Sequence, residues 1–146
     1  MIRRLELKDI PTVVELEEEI FGESLGYDML SEEISNPLIW FRVIEIDNEV
    51  IGYIGGYFFM DDGEIINFLI NEKYQHMGYW SKLFNSIMDE AKSSGIKRVT
   101  LEVRRSNMKG INFYTKHNFK EISVRKHYYK NGEDALVMMK ELIWLY

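Results

Sequence analysis

Glu102, Asn107 and Tyr114 are the residues whose types and spacing most invite chemistry. Glu102 sits in the run Arg98-Val99-Thr100-Leu101-Glu102-Val103-Arg104. Alternation there places Val99, Leu101 and Val103 on one strand face and Glu102 on the other. A carboxylate outside the apolar face can act as a general base, directly or through water. The plainer alternative is a surface glutamate paired with Arg104. Asn107 and Tyr114 are seven residues apart, two turns along one helix face. Tyr114 offers a phenolic proton with an ordinary pKa of about 10. It can protonate or hydrogen-bond a leaving group, and beside Ile111 it also fits a core tyrosine. Asn107 suits a helix N-cap.

A second feature is a turn, Gln75-His76-Met77-Gly78-Tyr79-Trp80-Ser81, between an apolar run and an amphipathic helix. Free backbone N–H groups at a helix N-terminus favour an anion. Gly78 lets a ligand approach the backbone closely. An ordinary loop with a glycine at a helix start is the alternative.

The elements that must position these groups follow from periodicity. Residues 2–7 read as a strand. Asp9 is the expected N-cap of a helix with Pro11 in its first turn, and Gly22 and Gly26 end that helix. A short helix covers residues 27–35, closed by Asn36-Pro37. Strands follow at residues 39–46 and 50–60, with turns at Asp47-Asn48 and Asp61-Asp62-Gly63. Ile65, Ile66, Phe68, Leu69 and Ile70 form a nearly continuous apolar run, expected of a strand covered on both faces. Trp80, Leu83, Phe84, Ile87, Met88 and Ala91 mark a helix that stops at Gly95. A strand at 98–104, a helix at 107–116 and strands at 119–129 and 135–142 complete the chain. Three consecutive hairpin strands predict an antiparallel part. The helical crossover from 65–70 to 98–104 predicts a parallel pair. The expectation is one α/β (α+β) domain over residues 1–146, with a mixed sheet and helices on both faces.

Composition excludes several classes. The 146 residues carry 24 Asp+Glu against 18 Lys+Arg, a net charge of −6, which opposes nonspecific nucleic-acid binding. It also tolerates, and can steer, a cationic substrate. With no cysteine, disulfides, zinc–thiolate sites and a thiol nucleophile are excluded. His76, His117 and His127 are too scattered for a metal site. No apolar run approaches the ~20 residues of a membrane span. Glu6, Lys8 and Asp9 interrupt any signal-peptide core after Arg3-Arg4, so a cytoplasmic protein is expected. The end, Leu142-Ile143-Trp144-Leu145-Tyr146, is expected to pack back on the core or to mark a contact surface.

Gln75-x-x-Gly78-x-Trp80 resembles the Q/R-x-x-G-x-G/A motif of the GNAT superfamily of N-acetyltransferases. Leu101-Glu102-Val103-Arg104-Arg105-Ser106-Asn107, Ile111-Asn112-Phe113-Tyr114 and His117-Asn118-Phe119 resemble that superfamily's N-terminal protein acetyltransferases, bacterial ribosomal-protein alanine and archaeal types included. Tyr128-Tyr129-Lys130-Asn131-Gly132-Glu133-Asp134-Ala135 resembles their Y-Y-x-x-G-E-D-A hairpin. The likeness spans residues 65–139. It departs at Trp80, where Gly or Ala is usual and where the apolar stripe predicts core packing, and at Gly110 and Asn118, which replace Ala and Gly. Asn tolerates positive φ, so the turn at Asn118 can survive.

The resemblance implies a seven-stranded, mostly antiparallel GNAT sheet with about four helices. It implies acetyl-CoA as cosubstrate and no metal. The backbone of Gln75, His76, Met77, Gly78, Tyr79, Trp80 and Ser81 would hold the pyrophosphate, and Phe68, Leu69 and Ile70 would flank the thioester. Asn107 and Tyr114 would complete that site, with Glu102 and Tyr114 as base and acid. Phe21, Glu23, Tyr27, Tyr128 and Tyr129 would clamp the acceptor. The implied reaction is direct transfer to a protein or peptide N-terminal α-amine by a monomer or homodimer, with no nucleic acid or membrane involved. An α-amine, with a pKa of about 7.7–8.0 against about 10.4 for lysine, needs only a modest base. A lysine, polyamine or antibiotic amine as acceptor, or a noncatalytic acyl-CoA-binding module, remain alternatives.

Overall fold

The computed structural model describes residues 1–24 and 26–142. The strands are β1 (Ile2–Arg4), β2 (Ile39–Ile46), β3 (Glu49–Phe59), β4 (Asp62–Ile70), β5 (Arg98–Arg104), β6 (Lys120–Arg125) and β7 (Ala135–Glu141). The helices are α1 (Ile10–Phe21), α2 (Tyr27–Ile34), α3 (Tyr79–Ser93) and α4 (Met108–Lys116). One sheet runs β1-β2-β3-β4-β5-β7-β6. All pairs are antiparallel except β4 with β5, which the α3 crossover makes parallel. Asp47 and Asn48 both have positive φ, the conformation of a tight two-residue hairpin turn.

Each sheet face is covered by its own pair of helices. Ile10, Val13 and Leu16 of α1 and Leu30 of α2 bury against Phe41, Val43, Tyr53 and Leu69. Leu83, Phe84, Ile87 and Ala91 of α3 bury on the other face against Ile54, Ile65, Leu101 and Val103. Burying one such side chain fully contributes roughly 1.5–3 kcal/mol.

The central feature is a fork. β4 and β5 pair only from Asp62↔Arg98 to Ile65↔Leu101. Beyond that point β4 continues to Ile70 and β5 to Arg104 without pairing to each other. A bulge starts the divergence: Gly55 opposes Asn67 and Gly56 opposes Ile65, leaving Ile66 as the extra residue. Ile66, Asn67 and Phe68 are only half-buried, unlike Leu69 and Ile70 at the end of the strand. The expectation of a strand covered on both faces holds for Leu69 and Ile70 and fails where the fork opens.

Two expected strand ends and one expected cap change. β1 stops at Arg4, because Leu7, Lys8 and Asp9 form a 3-10 turn. Asp9 does not cap α1 through its side chain. Its carboxylate instead accepts the Glu6 N–H at 2.8 Å and two Arg3 N–H groups at 2.7 and 2.9 Å. β6 stops at Arg125, so Tyr128 and Tyr129 lie in a loop rather than on a strand. His127 there has φ 53° and donates its backbone N–H to Asp134. Leu142 is buried and donates to the Lys97 carbonyl. The expected apolar end at Ile143, Trp144, Leu145 and Tyr146 lies outside the described residues. Among the described residues no helix is long and apolar enough to cross a membrane.

Arg3 also donates to Glu45 at 2.7 Å, so one guanidinium ties β1 to the 3-10 turn and to β2. Burial alone would raise the Asp9 carboxyl; the Arg3 and Glu6 donors outweigh it and hold the group below its ordinary value. A depressed folded-state pKa contributes stability above the unfolded value, near 3.9, and loses it as pH falls through the folded value. Asp9→Asn should therefore cost about 2 kcal/mol at pH 7 in urea unfolding. The gap to the parent protein should close below about pH 4.

Candidate functional site

The N-terminus of α3 presents backbone donors that no side chain caps. Gly78 caps it with φ 82° and no side-chain cap, and a Cβ there would meet nothing within 4 Å. The positive φ, rather than crowding, is what requires glycine. The first bond back into the helix is Lys82 N–H to the Gly78 carbonyl, which leaves the N–H groups of Tyr79, Trp80 and Ser81 without helical acceptors. Gln75 fixes the loop by donating its side-chain amide to the Ile70 carbonyl at 3.3 Å. A cavity of about 580 Å³ lies beside this end, bounded by Phe68, Leu69, Ile70, Trp80, Asn107 and Tyr114. That is the size of ordinary small-molecule sites, roughly 300–1,000 Å³.

Across the cavity, α4 presents Tyr114. Asn107 caps α4 by accepting the Gly110 N–H at 2.9 Å. A Cβ on residue 110 would stand 2.6 Å from the Asn107 Nδ2, so Gly110 matches this placement of Asn107. Asn118, with φ 69°, makes the turn after α4 as expected for an asparagine. Tyr114 packs 5.9 Å from Phe84 and 6.1 Å from Phe119, ring centre to ring centre. Burial first, and then the neighbouring Tyr129, push its phenol above the ordinary value. The proton therefore stays on Tyr114 throughout the neutral range. Trp80 is both packed and exposed to the cavity: it meets Phe68 edge-on at 4.5 Å and helps line the space. The expectation that it would serve packing alone is incomplete.

Glu102 does not line that cavity. It stands on the opposite face of the sheet, as its strand alternation requires. Its partner is Arg125 at 3.1 Å, not Arg104. Glu102 also acts on Tyr128, whose phenol is raised by donating toward that carboxylate. Arg104 stacks 3.9 Å over the Tyr129 ring and reaches Glu133 at 3.3 Å and Asn131 at 3.4 Å. Arg105 pairs with Asp134 at 3.4 Å. These contacts hold the β6–β7 loop over the fork. The Glu102 charge acts on Tyr129, and Tyr129 in turn acts on Tyr114, so the Tyr129 ring is near both side chains.

The remaining expected residues divide. Gln75, His76, Gly78, Trp80 and Phe21 line the cavity; Met77, Tyr79 and Ser81 do not. Glu23 and Tyr27 are exposed and do not line the cavity, and Glu23 meets Lys130 of the β6–β7 loop at 3.6 Å. That contact brings the two expected clamp segments together. The α1 end of the clamp is anchored by buried Glu17, which accepts hydroxyl donors from Tyr53 at 2.8 Å and Ser24 at 2.9 Å. Sequence reasoning missed Ile20, Lys109, Asn112, Phe113 and Lys116 on the cavity wall. Lys109, Asn112 and Lys116 recur at i, i+3 and i+7 on α4, a polar stripe with two cations that the net negative charge made worth noticing. Lys109 and Lys116 have no ion pair among the described residues, which suits an anionic ligand.

Comparison with known proteins agrees with this geometry. The chain matches the Acetyltransferase (GNAT) family over residues 7–119. It is 36% identical over 139 residues to a Bacillus subtilis (strain 168) protein provisionally named a ribosomal protein bS18 alanine N-acetyltransferase, covering 94% of this chain and 92% of that one. It is 31% identical over 154 aligned positions to an N-alpha-acetyltransferase of Sulfurisphaera tokodaii, covering 97% and 92%. In fold it resembles the crystal structure of Ard1 from Thermoplasma volcanium, with a TM-score of 0.91, 24% identity and coverage of 99% and 98%. The seven-stranded forked sheet, the glycine-capped α3 and the matched sequence together establish that this chain belongs to the GNAT family of acetyltransferases.

Proposed function

We propose that this enzyme acetylates the α-amine of a protein N-terminus, using acetyl-CoA, by direct attack on the thioester. The observation that carries the reading is the fork, with Tyr114 on one face of the sheet and Glu102 on the other. The alanine and N-alpha-acetyltransferase relatives support a protein acceptor.

When bound, acetyl-CoA supplies an acetyl group activated as a thioester. The α3 amides, Lys109 and Lys116 suit its phosphates, and the aromatic wall of Phe68, Trp80 and Phe113 suits its less polar arm. Within residues 66–70, the N–H groups on the edge away from β3 have no β5 partner and are available to donate to the carbonyl oxygen, where charge develops. Glu102 takes one proton from the acceptor ammonium, and the freed nitrogen pair forms the C–N bond as C–S breaks. Tyr114 gives its proton to the departing sulfur and recovers one from the acceptor nitrogen. That return is required, because a raised phenol is a weaker acid than a thiol near 8.5. One proton is released, through Glu102.

A peptide library incubated with acetyl-CoA and read by mass spectrometry should show acetylation at N-terminal amines. Acetylation confined to lysine side chains would contradict the acceptor assignment. Glu102→Gln and Tyr114→Phe should each lower kcat by about 100-fold with CoA affinity retained. Because the Tyr114 pKa is raised, loss of its proton should not lower kcat between pH 8 and about 10; an alkaline limb there that disappears in Tyr114→Phe would refute the acid role. Arg104→Ala should free Tyr129 and raise peptide KM about fivefold while leaving CoA affinity unchanged. A matching loss of CoA affinity would show instead that Arg104 supports the whole domain.

A further inference from the structure

Arg4 of β1 and Arg42 of β2 stand directly opposite each other at the outer edge of the sheet. Like charges in opposed positions repel. Between Lys8 and Arg42 the chain carries only acidic charge, yet Arg4 has no ion pair among the described residues. Arg42 has one, with Glu90 of α3 at 2.7 Å. Two guanidiniums against one carboxylate leave this cluster net positive on a chain that is net negative. Trp40, two residues before Arg42, shares their face of the sheet. Its ring centre lies 4.9 Å from the Arg4 guanidinium carbon and 5.6 Å from that of Arg42. The π face of the indole offsets part of the repulsion. A stacked guanidinium keeps its N–H edge, and exposed Arg4 can turn that edge to a planar anion.

A cavity of about 260 Å³ opens beside these three side chains. It shares no lining residue with the larger cavity at the start of α3. Leu5, Leu7, Ile34 and Ile39 give it apolar walls. It is smaller than ordinary small-molecule sites of roughly 300–1,000 Å³, so it suits a compact ligand. We propose that this cavity is a second ligand site, which takes a carboxylate carried on a small apolar body. Arg4 grips the carboxylate through two parallel N–H groups, and Trp40 and the apolar walls hold the body. One negative charge balances the cluster. A phosphate dianion exceeds that balance and brings nothing to fill the apolar walls. Two sources carry the required chemistry: a free aromatic or aliphatic acid, and the C-terminal carboxylate of another protein chain. The site lies apart from the acetyl-transfer machinery and does not depend on the α-amine reading.

The test uses full-length protein carrying 15N-labelled tryptophan indoles and saturated with CoA, so that added anions do not report on the CoA site. The Trp40 signal is identified by its loss in Trp40→Phe. Phenylacetate should shift that signal saturably, and the neutral phenylacetamide should bind about tenfold more weakly. Arg4→Gln should weaken phenylacetate by about tenfold while leaving the thermal midpoint unchanged. The second source is probed with a tripeptide ending in phenylalanine, N-acetylated to keep it out of the acceptor site, with its C-terminus free or amidated. Tighter binding of the free-ended peptide than of phenylacetate would support a chain end as the ligand, and the reverse order a free acid. The absence of a saturable shift, equal affinities for acid and amide, or a phenylacetate affinity that survives Arg4→Gln would overturn the proposal. Inorganic phosphate binding as tightly as phenylacetate would overturn the choice of a carboxylate.

Discussion

The site depends on two parallel strands that stop pairing. A continuous β4–β5 ladder would satisfy every backbone group between them and close the sheet. Here pairing ends at Ile65↔Leu101, and the bulge at Ile66 turns β4 away. The result is a row of N–H and C=O groups without strand partners and a gap that connects the two faces of a sheet otherwise covered by helices. Leaving such groups unpaired costs stability. The buried flanks compensate, with Leu69 and Ile70 essentially inaccessible on one side of the gap and Leu101 and Val103 on the other.

The gap lets opposite chemistries meet without mixing. The α3–α4 face offers helix-start amides, two lysines with no ion pair among the described residues and an aromatic wall, all suited to an anionic, partly apolar ligand. The other face offers Glu102, paired with Arg125 and suited to a cation. Tyr129, near Glu102 and Tyr114, is held by the Arg104 stack. Separation across the sheet keeps the Glu102 carboxylate from repelling phosphate groups, and it matches a net acidic chain that must still bind a polyanion.

Much of the fold was legible because its signals are periodic. The α3 stripe and the β5 alternation fixed their elements and the face of Glu102, and the α3 crossover fixed the one parallel pair. The asparagines at 107 and 118 were readable from their cap and turn chemistry. The departures are tertiary. Asp9 looked like a cap, but Arg3 on a neighbouring strand took its carboxylate. Glu102 looked like a partner for Arg104, but pairing with β7 and β6 brought Arg125 closer and turned Arg104 toward the loop. The bulge at Ile66 left no mark in the apolar run, since an extra residue in a ladder is defined by the partner strand.

The most direct measurement of this arrangement is a crystal structure with a bisubstrate conjugate, CoA joined through an acetyl linker to a peptide α-amine. The account predicts the linker in the gap, its carbonyl oxygen about 3 Å from a backbone N–H within residues 66–70. CoA should lie on the Tyr114 face and the peptide on the Glu102 and Tyr129 face. Density placing both halves on one face of the sheet, with the gap empty, would contradict it.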